Sequence, residues 1–288
     1  MLAITGASGQ LGRLVIEQLL TKVPAEELVA VVRNPARVSD LAQAGVQVRT
    51  ADYNDVAALT AAFSGVEKVL LISSSEVGQR VAQHRHVIEA AKKAGVKLIA
   101  YTSLLHATNS PLGLAAEHVA TEQLLSESGI PFVLLRNGWY SENYLASLPP
   151  ALQHGVFIGS AGEGKIAAAP RADYAAAAAS VLTLDNQNGK VYELAGDDAW
   201  TLTELVAEIS RQTGTPLHYQ NLSEADFKAA LLSAGLPEGL AAMLADSDIG
   251  ASKGGLFDGQ RQLSQLIGHP TEALSISVKK ALVALNGG

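Results

Sequence analysis

The 288-residue chain is 48% hydrophobic, enough to build one large domain, or a domain with a smaller companion lobe, around a sizeable core. Its 28 acidic and 21 basic side chains leave a formal charge of −7, which argues against a broad nucleic-acid footprint, because phosphate backbones require a basic face. The absence of cysteine rules out disulfides, thiolate metal sites and a cysteine nucleophile. No uncharged run nears the ~20 residues of a membrane span and no basic leader precedes the first apolar run, so a cytoplasmic protein without membrane insertion is expected.

The first element is an apolar run at 2–5, followed by "GASGQLGRLVIEQLL", whose Leu11, Leu14, Val15, Leu19 and Leu20 recur at helical spacing. Strand and helix thus flank a turn holding Gly6, Gly9 and Gly12. In such a unit the first glycine allows the sharp turn, the second lets a phosphate reach the backbone, and the third brings helix close to strand. The helix then aims its N-terminal amides at an anion, with Ala7, Ser8, Gln10 and Leu11 completing the cradle. The spacing is Gly-x-x-Gly-x-x-Gly, not the commoner Gly-x-Gly-x-x-Gly, and tight turns use glycine even where nothing binds. Context has to decide.

Strand-like runs at 28–32, 46–50, 68–72, 97–102 and 131–135 alternate with helical segments, the pattern of a Rossmann-type, doubly wound α/β parallel sheet. Gly95 and Gly129 stand where helices end, and Ser110 followed by Pro111 predicts the start of the helix carrying His118 and Glu122. The alanine-rich run from Ala175 reads as a core helix. Beyond it come a strand at 191–194, a Thr201/Glu204 capping box and a second helix start at Ser223/Asp226. The expected division is a nucleotide-binding domain at 1–150, to which about 155–196 returns, and a smaller C-terminal α/β lobe at 197–288 that contributes to the substrate site.

The end of the second strand selects the nucleotide. An acidic residue there would accept from the ribose 2′-hydroxyl of NAD, but the text is "VAVVRNPAR", with Arg33 in that place, Arg37 one helical turn on, and no carboxylate beside them. A forked guanidinium suits a 2′-phosphate, so NADP(H) is the expected cofactor; the alternative is that Arg33 is a solvated surface charge. Asp52 follows the third strand and could serve the adenine side or simply start a turn. Ser73, Ser74 and Ser75 follow the fourth strand, at the sheet edge where ligands bind in such folds, and could hold ribose and phosphate or cap the next helix.

With "TGASGQLG", "VRNP", "SSSEVGQR", "YTSLLHA", "LLRNGWYSENY" and "RADYAAAAA" in view, the whole chain resembles the atypical short-chain dehydrogenases of the NmrA-like group, and within that group the bacterial type 2 NADPH:quinone oxidoreductases. The resemblance implies NADPH-dependent two-electron reduction of a small quinone. It also implies that the nicotinamide lies near Ser73, Ser74, Ser75, Glu76 and Val77 and near the loop Asn137, Gly138, Trp139, Tyr140, Ser141, Glu142 and Asn143. Ala169, Pro170, Arg171, Ala172, Asp173 and Tyr174 are implied to approach the cofactor.

Short-chain dehydrogenases mostly use Tyr-x-x-x-Lys, and no tyrosine here has lysine four residues later. His118 and Glu122 occupy that spacing instead, either as a relay or half of a metal site, or as an ordinary pairing on a helix surface; with no other ligand cluster, no metal is expected. A quinone suits a site without the tyrosine acid, since reduction leaves an oxygen stabilised by its own ring. Asn143 is the expected oxyanion donor, with Tyr140 and Tyr144 as walls or secondary donors and Ser103 in the region of the wider family's hydroxyl; the asparagine could equally satisfy buried backbone. Two rival functions stand: an NADP(H)-binding redox sensor without turnover, and, further off, a sugar-nucleotide reductase. A homo-oligomer stays open.

Overall fold

The computed structural model describes residues 1–286. Among the described residues there are nine strands: β1 (Leu2–Thr5), β2 (Leu28–Val32), β3 (Gln47–Thr50), β4 (Lys68–Leu71), β5 (Leu98–Leu104), β6 (Phe132–Asn137), β7 (Val156–Gly159), β8 (Val191–Leu194) and β9 (His218–Asn221). Seven form one sheet in the order β3-β2-β1-β4-β5-β6-β8, and β1 to β6 pair in parallel. The chain winds outward from β1 to β3, returns, and winds the other way from β4. That reversal beside β1 is the switch point where doubly wound sheets bind ligands, and the architecture is the expected Rossmann type.

The strand sequences follow from burial on both faces. Every residue of β2 and of β5 is buried, which is why they read as near-continuous apolar runs. Phe63, Val69, Leu71, Val87, Ile99 and Tyr101 belong to one core cluster. The helix Gln10–Leu20 buries Leu11, Val15, Ile16 and Leu19. It packs against the helix Arg171–Thr183, whose buried Ala175, Ala177, Ala178 and Ala179 confirm the alanine run as a core helix and let the two axes approach closely.

The chain divides into two compact units. One comprises Met1–Ala107, Ala116–Asn137 and Arg171–Tyr192; the other comprises Thr108–Ala115, Gly138–Pro170 and Glu193–Gly288. The second unit holds a two-stranded parallel sheet of β7 and β9, neither of which is legible as a strand in the sequence. Each has only four residues, and β9, "HYQN", is largely exposed, so no alternation marks it.

Helix boundaries follow the capping chemistry where it is local. Thr201 and Glu204 form a reciprocal capping box, and the Ser223 side chain accepts from the Asp226 amide. Gly95 and Gly129 both take the left-handed conformation expected of them. The expected start at Ser110–Pro111 is corrected, because that helix runs Ala115–Ser128. The Ser110 hydroxyl instead closes a turn on the Leu112 amide at 3.3 Å, and the Gly113 amide donates to Asp246, within the same unit, at 2.7 Å. A tertiary partner thus holds this segment out of the helix.

Candidate functional site

At the carboxyl edge of the sheet, beside β1, lies a cleft of about 530 Å³. Its floor is the turn after β1. Gly6 takes φ 60°, the left-handed conformation the sharp turn requires. A Cβ at Gly12 would stand 2.5 Å from the Gly6 carbonyl oxygen and 2.8 Å from the Ala7 Cα, so only glycine lets the helix approach the turn this closely. The helix Gln10–Leu20 begins at Gly9 with no side-chain cap and no acidic residue in its first turn. Its first amides therefore face the cleft without an anionic partner of their own.

Gly6, Ser8, Gly9, Gln10, Leu11 and Gly12 line this cleft together with Arg33, Asp52, Ser73, Ser74, Ser75, Glu76 and Arg171, so β1, β2, β3, β4 and the helix Arg171–Thr183 bring distant sequence motifs to one place. Ala7 is fully buried under the turn, and Val77 is among the exposed apolar residues. Arg37, named with Arg33 in the sequence, also lines the cleft, as do Tyr53, Ile72 and Gln83, which were not expected there. Tyr53 had a sequence signal, since it adjoins Asp52 in "TADYND". Its hydroxyl lies 2.6 Å from the Thr5 hydroxyl and 2.9 Å from the Ile72 carbonyl, and burial raises its pKa, so it stays neutral and ties β1 to β4.

The polar residues of the cleft are held from behind. Asp52 accepts from the Asn54 amide at 2.8 Å, closing a turn while still facing the cleft. None of the three serines caps the next helix, Arg80–Ala94, whose N-cap is Gln79. Instead the Ser73 amide donates to Thr102 Oγ1 at 2.8 Å, and the Ser74 hydroxyl donates to Gln83 Oε1 in a short hydrogen bond. Arg33, half of the expected nucleotide selector, has an acidic neighbour that adjacency in the sequence conceals: its Nη1 is 3.3 Å from Oε1 of Glu76.

Behind this loop runs a buried polar network. His84 Nε2 accepts from the Ser74 amide at 2.9 Å, its Nδ1 meets Thr121 Oγ1 at 2.9 Å, and Arg80 Nε donates to the Ser74 carbonyl at 2.7 Å. Arg80 also lies 3.5 Å from both Glu117 and His118, whose Nδ1 is 2.8 Å from the Tyr101 hydroxyl. Burial, reinforced by the Arg80 charge, pushes His84 and His118 down to about 3, so both imidazoles are neutral. Burial likewise raises Tyr101.

His118 and Glu122 do not form the expected surface pair, because both are buried on the sheet side of their helix. Glu122 instead accepts from Arg136 through both oxygens, Nε to Oε1 at 2.9 Å and Nη2 to Oε2 at 2.6 Å, and from the Ser103 hydroxyl at 2.6 Å. The proton of Ser103 is thereby committed inside the core. Among the described residues no group of three or more His, Cys, Asp or Glu could hold a metal ion, and no helix is long and apolar enough to cross a membrane.

Other expected site residues lie elsewhere. Asn137 ends β6, is buried, and its Oδ1 has no hydrogen-bond partner among the described residues. Asp173 and Tyr174 are buried in the helix Arg171–Thr183, where Ala172 stands exposed. In the second unit, Tyr140 bridges to Ala169, the Ser141 amide donates to the Ala169 carbonyl at 3.0 Å, and the Ala169 amide donates to the Trp139 carbonyl at 3.3 Å. The Gly138 amide donates to the Leu194 carbonyl at 2.7 Å, Trp139 and Tyr140 are held at Ala169, and Ser141, Glu142 and Asn143 open the short helix Ser141–Leu145. Trp139, Asn143, Tyr144 and Asp248 share a small cavity of about 40 Å³ with Phe157 and Phe227. Burial raises Asp248 to about 6, though the Ser160 amide donates to it at 2.8 Å and the Tyr144 hydroxyl at 3.2 Å.

Residues 6–185 match the family model described as NAD(P)H-binding. The chain is also 31% identical over 242 residues to an NmrA-like oxidoreductase of Aspergillus flavus, covering 78% of this chain and 75% of that one. The chain belongs to the NmrA-like NAD(P)H-binding family. Within the family, it is 69% identical over 278 residues to quinone oxidoreductase 2 of Escherichia coli, covering 96% of this chain and 97% of that protein. The crystal structure of an Escherichia coli NADPH-dependent quinone oxidoreductase complexed with NADPH superposes with a TM-score of 0.96 at 68% identity, covering 98% of this chain and all of that one.

The shape and charge of the cleft fit the family's nucleotide. An uncapped start to an eleven-residue helix, a turn in which a Cβ would collide, and Arg33, Arg37 and Arg171 among the lining residues suit a pyrophosphate with one further phosphate.

Proposed function

We propose that this protein is an NADPH-dependent oxidoreductase that reduces small quinones by two electrons. The carrying observation is the uncapped helix start at Gly9 in the same cleft as Arg33, a combination that selects a phosphate-rich nucleotide. The 69% identity to a quinone oxidoreductase over nearly the whole chain supports the quinone as acceptor. NADPH, when bound, supplies a hydride from its nicotinamide ring.

The chain's own part is placement. Gly6, Ser8, Gly9, Gln10, Leu11 and Gly12 would seat the pyrophosphate on backbone amides, Arg33 the 2′-phosphate, and Asp52 the adenosine end. Ser73, Ser74 and Ser75 would shape the wall nearest the second ribose, while Glu76 reaches Arg33 on the adenosine side. Asn143 and Tyr140 are our candidates for stabilising oxygen charge on the acceptor, since the Ser103 proton is held by Glu122. A reduced quinone oxygen is weakly basic, so amide and water donors suffice where an alkoxide would require the missing tyrosine and lysine.

The test is to mix the protein with NADPH and 1,4-benzoquinone and follow the nicotinamide absorbance. Saturable consumption is the expected result. Tight NADPH binding with no consumption would instead make the protein a redox sensor, and no binding of NADPH would overturn the reading altogether.

A further inference from the structure

The Arg33 and Glu76 pair joins two sides of the cleft. Arg33 leaves the end of β2 and Glu76 lies in the loop after β4, and these strands flank β1 on opposite sides. Both side chains line the cleft and are well exposed, so the pair adds little to stability. Its carboxylate is nonetheless fixed in direction. Gln83 Nε2 donates to Glu76 Oε2 at 2.8 Å, the Ser74 hydroxyl donates to Gln83 Oε1, and the Glu76 amide donates to the Ser74 hydroxyl at 3.1 Å. A closed ring of three residues, linked through two side-chain hydrogen bonds and the Glu76 amide, therefore aims one negative charge at the guanidinium.

We propose that Glu76 is a specificity-determining residue that competes with the nucleotide's 2′-phosphate for Arg33 and so sets the ratio of NADPH to NADH binding. The inference rests on the nucleotide reading above. To fork onto a phosphate, the guanidinium must leave Glu76, and the dianion then sits beside a carboxylate that repels it. NADH meets the opposite situation, because its 2′-hydroxyl can donate to the same carboxylate. Arg33 favours the phosphorylated nucleotide and Glu76 the unphosphorylated one, and discrimination is the difference between them.

The experiment is calorimetric titration of wild type, Glu76→Gln and Glu76→Ala with NADPH and with NADH at low and high salt. Glu76→Gln keeps a group for Gln83 to donate to and removes the charge. It is expected to bind NADPH about three- to tenfold tighter and NADH no tighter, with the gain shrinking as salt screens the charge. Glu76→Ala moves the same way. Unchanged or weaker NADPH binding, or an equal shift for both nucleotides, overturns the role of Glu76. If wild type itself binds neither nucleotide, the nucleotide reading fails first, so the two failures are distinguishable.

Discussion

His84 accepts the backbone amide of Ser74 at 2.9 Å, and one helical turn earlier Arg80 donates to the carbonyl of the same serine at 2.7 Å. Two side chains of one helix thereby fix both polar groups of one residue in the cleft wall. Neither His84 nor Arg80 lines the cleft, so each acts on it only through the loop.

His84→Phe removes the acceptor and leaves the Ser74 amide without it, costing about 1–3 kcal/mol of stability. It is expected to raise the KM for NADPH about tenfold while kcat changes little. His84→Gln, which retains an acceptor, should recover most of the KM. Equal losses in both variants would show that ring packing matters and the hydrogen bond does not.

His84 and His118 are held near 3 in the fold, against about 6.5 for an unfolded histidine. The unfolded chain therefore takes up protons first as pH falls. Their contribution is fully present above about 6.5 and is lost progressively between there and about 3. Melting temperature should drop steadily on acidification, and a His118→Gln variant should show a shallower slope across that window. An identical slope in the variant would contradict the assignment.

Asp248 carries the opposite sign. Held at about 6 in the fold against 3.8 when unfolded, it keeps its proton longer in the native state, so stability from this group is greatest below about 3.8 and declines as pH rises through about 6. Above that, its burial costs about 3 kcal/mol. Asp248→Asn should raise the melting temperature at pH 7.5 and leave it nearly unchanged at pH 4. A loss at both pH values would mean that the contact with the Ser160 amide outweighs the buried charge.

Ser103 and Asn143 separate by role. Ser103→Ala removes one of the donors to Glu122, which keeps both Arg136 contacts, so a stability cost of about 1 kcal/mol with unchanged turnover is expected. Asn143→Ala should lower quinone turnover by about tenfold or more with NADPH binding retained. Unchanged turnover in Asn143→Ala removes it from the chemistry, and a collapse in Ser103→Ala restores the hydroxyl to it.

Local chemistry was legible where the signal itself is local. The Gly6 turn, the left-handed Gly95, the Thr201 cap and the all-apolar β2 each depend on residues a few positions apart, so spacing alone reveals them. The strands β7 and β9 were not, because four residues with little buried face carry no periodicity. The helix start at Ser110 misled for a related reason: the capping sequence is there, but Asp246, 133 positions away, holds the Gly113 amide.

By itself, the sequence determined the alternation of strands and helices, the glycine turn and the arginine after β2, since each is a matter of side-chain type and short-range geometry. Only the tertiary structure decided that Glu76 faces Arg33, that His84 and Arg80 hold Ser74, and that Glu122 is spent on Arg136 and Ser103. Those relationships join residues that the sheet order, not the chain order, makes neighbours, and a charge or hydrogen bond acts through distance in space.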